Sequence, residues 1–184
     1  MPTVFTHAGV GLGLAAIAPF AHRPWVFYAV SAGVAALPDV DVVAFAAGVP
    51  RGSMWAHRGI THSLLAAALI GAAAAGPVAP VMRVRWPALA AYLALITASQ
   101  GILDAMTTGG PGVAFFAPLD GTRYFLPWRP VEVSPLWRGF FSARGVRVLA
   151  SELLWIWLPL AGAVVLARLA ARRRRRDGAR DAVE

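Results

Sequence analysis

Five long apolar runs constrain this chain more than any other feature. They cover roughly residues 6–21, 25–47, 63–82, 86–104 and 149–171. A helix that crosses a bilayer needs about 20 mainly apolar residues. Inside lipid every backbone N–H and C=O must find a partner within the protein, so such runs read as helices. Composition agrees: 58% of the 184 residues are hydrophobic and 14% charged, with a mean hydropathy of +0.62. A soluble domain carries about 25% charged residues. The predicted fold is therefore all-α, a polytopic transmembrane helical bundle of about five apolar segments. The first run is short for a full span and the second carries LPDVD near its end, so either is a candidate for a partial or broken helix. The last run, LASELLWIWLPLAGAVVLARLAA, is the clearest span, with Trp155 and Trp157 suited to an interface.

One domain is expected over residues 1–171, followed by an Arg-rich tail, 172–184. All seventeen basic residues are arginine, and the net charge is +8. Five consecutive arginines after an apolar helix read as a cytoplasmic anchor beside anionic lipid rather than as a nucleic-acid arm. No Lys or Arg precedes the apolar stretch from Ala8 to Phe20, unlike the start of a secretory signal, so that stretch is expected to be retained. There is no cysteine, which excludes disulfides, thiolate catalysis and Cys-type zinc sites.

Against this apolar background, six potential metal ligands lie at segment ends: His7, Asp39, Asp41, His57, His62 and Asp104. Ionisable groups beside hydrocarbon are costly unless they pair, line a wet cavity or hold an ion. With the tail cytoplasmic and the segments alternating, all six fall on the opposite side of the membrane, the outer side. Ten of the seventeen arginines then fall inside, which fits the positive-inside bias.

Each motif has its own logic. LPDVD, residues 37–41, sets two carboxylates two positions apart, able to share a face in extended or irregular backbone. HRGITHS, residues 57–63, puts His57 and His62 five apart, off a common helix face. Gly59 predicts a turn and Thr61 a helix N-cap, so that the two imidazoles converge from a loop and a helix start. Arg58 between them is placed to neutralise an anionic substrate or pair with an aspartate. ILDAMTTGG ends the fourth run with Asp104, and Thr107 and Thr108 stand ready as supporting donors. His22 lies on the other side and is bland. Glu152, the one glutamate inside a predicted span, is a candidate general base or extra ligand, with a salt bridge to Arg147 or Arg123 as the simpler role.

The connection 105–148 is long and rich in aromatics and arginine: Phe115, Phe116, Arg123, Tyr124, Phe125, Trp128, Arg129, Trp137, Phe140 and Phe141. Such a loop suits the headgroup zone, where rings embed and guanidinium groups hold phosphates. Membrane lipid is the expected partner, and no nucleic acid.

These motifs resemble the YdjM-like inner-membrane proteins, described as predicted metal-dependent hydrolases. The resemblance rests on THAGVG, LPDVD, HRGITHSLL, ILDAMTTGG, FFAPLDGTRYFLPWRPVEVSP and SELLWIWLP, and runs from His7 to about residue 170. It implies a bacterial inner-membrane location, with His7, Asp39, Asp41, His57, His62 and Asp104 as ligands. One departure stands out: where relatives commonly carry a histidine before a GLLD-type sequence, this chain has Gln100, a poorer ligand for zinc or iron than imidazole. The expectation is a divalent metal, Zn or Mn, one or two per chain. It would activate water against an ester or phosphoester of a lipid or headgroup-zone substrate, with Arg58 or Arg123 neutralising charge and Glu152 as base. The alternative is a non-catalytic membrane protein with a structural metal site, serving as a scaffold or binding a partner.

Overall fold

The computed structural model describes residues 1–135 and 137–181. The side chains of Trp137, Arg138, Arg175, Arg176, Ala179, Arg180 and Asp181, and the tail end 182–184, lie outside the described residues. The helices are α1 (Val4–Ile17), α2 (Trp25–Ala36), α3 (Val43–Ala46), α4 (Leu64–Met82), α5 (Trp86–Ala105), α6 (Ala143–Glu152) and α7 (Leu158–Asp181). Among the described residues extended pairing is limited to two isolated bridges, Thr107 with Val131 and Val113 with Tyr124.

Among the described residues, four stretches are long and apolar enough to cross a membrane: Trp25–Ala46, Leu64–Met82, Trp86–Ala105 and Ala143–Arg174. The shorter α1 makes the fifth apolar segment. Its 14 residues rise about 21 Å at 1.5 Å per residue, less than the roughly 30 Å hydrocarbon layer. The helical bundle of about five apolar segments is thus what the chain forms.

Small residues bring the helices together. A Cβ on Gly71 of α4 would stand 2.4 Å from the Ala94 nitrogen of α5, and one on Gly11 of α1 would stand 2.3 Å from the Ser31 oxygen of α2. Such close approach is how helices associate where lipid supplies no hydrophobic drive. Phe27, Leu89, Leu93 and Ile96 fill the space between, and Phe20 meets Phe27 and Tyr92 edge-on. The Tyr92 hydroxyl donates to the Leu14 carbonyl at 2.6 Å, tying α5 to α1. Arg23 closes α1 by donating to the Ala16 carbonyl at 2.7 Å, a cation on the free carbonyls of a helix end.

Three local expectations are corrected. The last span begins at Ala143, not near 149, and is interrupted by a π-helical turn over Leu153–Trp157. Ser63, not Thr61, caps α4 by accepting from the Ala66 amide at 3.1 Å. LPDVD is neither extended nor irregular: Leu37–Val42 forms a 3-10 helix. At about three residues per turn, positions two apart point about 120° away from each other, so Asp39 and Asp41 diverge.

Candidate metal centre

The ends of α1, α2, α4 and α5 deliver their polar residues to one place. His7 comes from the first turns of α1, Asp39 from the 3-10 turn after α2, His62 from the turn before α4, and Asp104 from the last turn of α5. His7 Nε2 lies 3.7 Å from Asp39 Oδ2 and 3.8 Å from Asp104 Oδ1. His62 Nε2 lies 3.4 Å from Asp39 Oδ1 and 3.2 Å from Asp104 Oδ2. Among the described residues, two overlapping groups have the spacing to hold an ion: Asp39 with His57 and His62, and His7 with Asp39 and Asp104. Polar residues from different runs therefore meet at one end of the bundle, as the alternation of segments implied.

The inward atoms are buried and without hydrogen-bond partners. His7 Nε2, both Asp39 oxygens, His62 Nε2 and Asp104 Oδ2 are all in this condition among the described residues. An unpaired buried polar atom costs on the order of 1–3 kcal/mol. Five facing one another across 3.2–3.7 Å form a donor set that fits a cation at their centre.

Asp41 stands outside both groups and does something else. One oxygen lies 2.6 Å from His57 Nδ1, the other 3.2 Å from His62 Nδ1 and 3.2 Å from the Arg58 amide, with the Thr61 hydroxyl also bonded to it. A carboxylate on Nδ1 fixes an imidazole's tautomer and orientation, leaving Nε2 to bind. The His57 and His62 rings stand edge-to-face, 5.2 Å apart.

The turn that permits this depends on Gly59. The Gly59 amide donates to Ala56 and the Ile60 amide to Met54, both at 2.8 Å. A Cβ on Gly59 would fall 2.0 Å from the Met54 carbonyl oxygen. Arg58, in the left-handed region at φ 63°, turns its side chain inward. It is fully buried, donating at 3.0 Å each to Asp104 Oδ1, the Thr107 hydroxyl and the Gly109 carbonyl. Gly110 is needed beside it: a Cβ there would stand 2.6 Å from Arg58 Nη1. Of its two expected roles, pairing with an aspartate is the one occupied.

The remaining expected residues lie at the margin. Arg123 donates to the carbonyls of Ser53 (2.9 Å) and His57 (3.2 Å), pinning the aromatic loop over the histidine turn. The same loop accepts the Leu64 amide on Phe115 and gives the Ala114 amide to Arg58. Glu152 is buried but outside both groups, and its partners are not Arg147 or Arg123. It accepts from the Thr3 amide at 2.5 Å, the Thr3 hydroxyl at 2.8 Å and the Thr6 hydroxyl at 2.6 Å. Trp157, from the π-helical turn, adds a bond to the same Thr6 hydroxyl at 2.8 Å. These contacts hold the first turn of α1 and with it His7. Gln100, one turn before Asp104, is 1% exposed with both amide atoms unpaired. Sequence reasoning passed over Thr3 and Thr6, since single threonines in apolar sequence carry no pattern, and gave Thr61 a capping role where the structure has it holding Asp41.

Three buried carboxylates face one guanidinium. The Met1 amino group, 3.9 Å from Asp104, adds no charge at pH 7: burial pushes it down to about 5. Burial also pulls His62 down, but the carboxylates of Asp104, Asp39 and Asp41 outweigh it and hold that imidazole well above its ordinary range. Acidic excess in a buried place is compensated by a proton or by a cation.

Fold and site together define a polytopic α-helical membrane protein with a buried His/Asp cluster at one end of its bundle. The family model described as YdjM inner membrane protein matches residues 1–175, and the chain belongs to that family. It is 36% identical over 190 residues to the inner membrane protein YbcI of Escherichia coli (strain K12), covering 95% of this chain and 100% of that one. No solved structure matches it significantly.

Proposed function

We propose that this chain is a membrane-embedded, metal-dependent hydrolase whose His/Asp cluster works on an ester or phosphoester at the headgroup layer. The observation that carries the reading is the set of unpaired buried atoms on His7, Asp39, His62 and Asp104, which face one another. His7, Asp39, His57, His62 and Asp104 are assigned as ligands. With the histidines neutral, two negative charges remain after Arg58 is set against Asp39, Asp41 and Asp104, and a divalent cation that displaces the His62 proton cancels them. Nitrogen and oxygen donors without sulfur suit Zn or Mn. When bound, such an ion supplies a water of lowered pKa and polarises the oxygen of the bond to be cleaved.

The chain's own residues have separate tasks. Asp41 holds His57 and His62 by their Nδ1 atoms, and Thr61 holds Asp41. Arg58 fixes Asp104 and keeps one of its oxygens from turning away. Arg123 clamps the aromatic loop over the turn through backbone carbonyls, a positioning role. Both oxygens of Glu152 are committed to Thr3 and Thr6, so we assign it to positioning α1 rather than to proton transfer. With the tail cytoplasmic, the centre faces the outer side.

A second reading is a purely structural metal site, favoured by the burial of His7, Asp39, His62 and Asp104 to 5% exposure or less. Turnover separates the two. Hydrolysis of a lipid phosphoester or ester by purified protein, abolished in Asp39→Asn with its helical content intact, supports the enzyme. A wild type that holds metal but cleaves neither class supports the structural site.

A further inference from the structure

A cavity of about 670 Å³ opens beside the cluster, with His57 and Arg58 in its wall. Its size falls within the roughly 300–1,000 Å³ of small-molecule sites. Phe45, Pro111 and Val133 give it apolar faces, and among the described residues no carboxylate lines it. Its charged side chains are both arginines. Arg58 is spent on Asp104, Thr107 and Gly109, whereas Arg51 is exposed and engaged by no hydrogen bond or ion pair among the described residues.

The position of this cavity narrows its occupant. Phe45 belongs to α3, the end of the apolar stretch Trp25–Ala46, and Arg51 follows directly in the loop that leads to His57. Trp55 in that loop is 63% exposed, and Val43 beside Phe45 is 62% exposed. An exposed indole and exposed aliphatic surface, both just past or at the end of a span, mark the level of the lipid headgroups. A guanidinium matches a phosphate in two parallel hydrogen bonds, and apolar walls match the start of an acyl chain.

We infer that this cavity is a binding site for the phosphate-bearing headgroup of a membrane lipid, with Arg51 seating the phosphate and Phe45 and Val133 flanking the glycerol and acyl roots. The inference rests on the hydrolase reading in that it names the substrate class for that centre. The anion enters next to His57, the cluster histidine that borders the cavity, while its chains remain in the bilayer. Arg51 is then a specificity-determining residue, and removing it should spare the metal centre, which it does not touch.

The test uses the purified full chain, supplemented with Zn or Mn, in a maltoside detergent free of phosphate. It is titrated with dihexanoyl phosphatidate and, separately, with inorganic phosphate. The short-chain lipid should bind at least about tenfold more tightly than phosphate, and Arg51→Ala should weaken it about tenfold or more with unchanged metal content. Val133→Trp, which fills the cavity, should weaken the lipid but leave metal content intact. Binding of lipid unaffected by both substitutions overturns the inference. Inorganic phosphate bound as tightly as the lipid also overturns it, because the ligand is then a free anion. Metal retained with no lipid binding removes the lipid site and leaves the metal centre standing. Lipid binding that depends on Arg51 in protein that takes up no metal supports the site and removes the hydrolase.

Discussion

His57 Nδ1 lies 2.6 Å from Asp41 Oδ1, and this pairing separates the residues that aim the cluster from those that face its centre. Asp41 is two positions from Asp39, yet the 3-10 turn sends one carboxylate to the back of the histidines and the other to their front. Asp41→Asn keeps the size and removes the charge behind both imidazoles. Metal affinity should fall by about 10–100-fold, with helical content unchanged, as measured by competition against a chelator.

The buried Arg58–Asp104 pair is a stability element as well as an orienting one. Arg58→Leu strands Asp104 without its guanidinium. Unfolding should become easier by about 3–5 kcal/mol, read as a lowered thermal midpoint in detergent. Adding Asp104→Asn should recover part of that loss, because the uncompensated charge is gone.

Glu152 serves α1. Glu152→Ala leaves the Thr3 amide and the Thr3 and Thr6 hydroxyls short of their acceptor. A loss of about 1–3 kcal/mol is expected, with reduced metal content because His7 rides on the same turn. Glu152→Gln, which retains an acceptor oxygen, should fall between wild type and Ala in both measurements.

The pH dependence has opposite signs with and without metal. The metal-free fold holds His62 well above its unfolded pKa of about 6.5. His62 therefore adds stability that is fully present below about pH 6.5 and is lost as pH rises through the folded value. Metal must displace that proton. Below the folded pKa, its affinity should rise by about tenfold per pH unit for one proton released. Titrating metal in buffers of different ionisation enthalpy measures the proton count.

The apolar runs made the helical bundle legible, and the positions of His7, Asp39, His62 and Asp104 at segment ends made their meeting legible too. Alternation of helices needs only segment count, which hydropathy supplies. What the sequence could not convey was direction. Whether Asp39 and Asp41 point together depends on the backbone between them, and the 3-10 turn reversed the expectation of a shared face. Arg58 left open a choice between an anionic substrate and an aspartate, and it is turned inward to Asp104 by a left-handed backbone that residue type does not announce. The bonds from Thr3 and Thr6 to Glu152 join positions 149 and 146 apart, with no periodicity to mark them. The start of the last span was missed because α6, ARGVRVLASE, is amphipathic and charged enough to read as loop.

The most direct test of the metal centre is elemental analysis of protein purified without chelators. Wild type should carry one or two divalent transition ions per chain, Zn or Mn, and the Asp39→Asn/His62→Ala double variant should lose them while keeping its helical circular dichroism. Wild-type protein free of such ions, even after incubation with them, or a double variant with the wild-type content, would contradict the account.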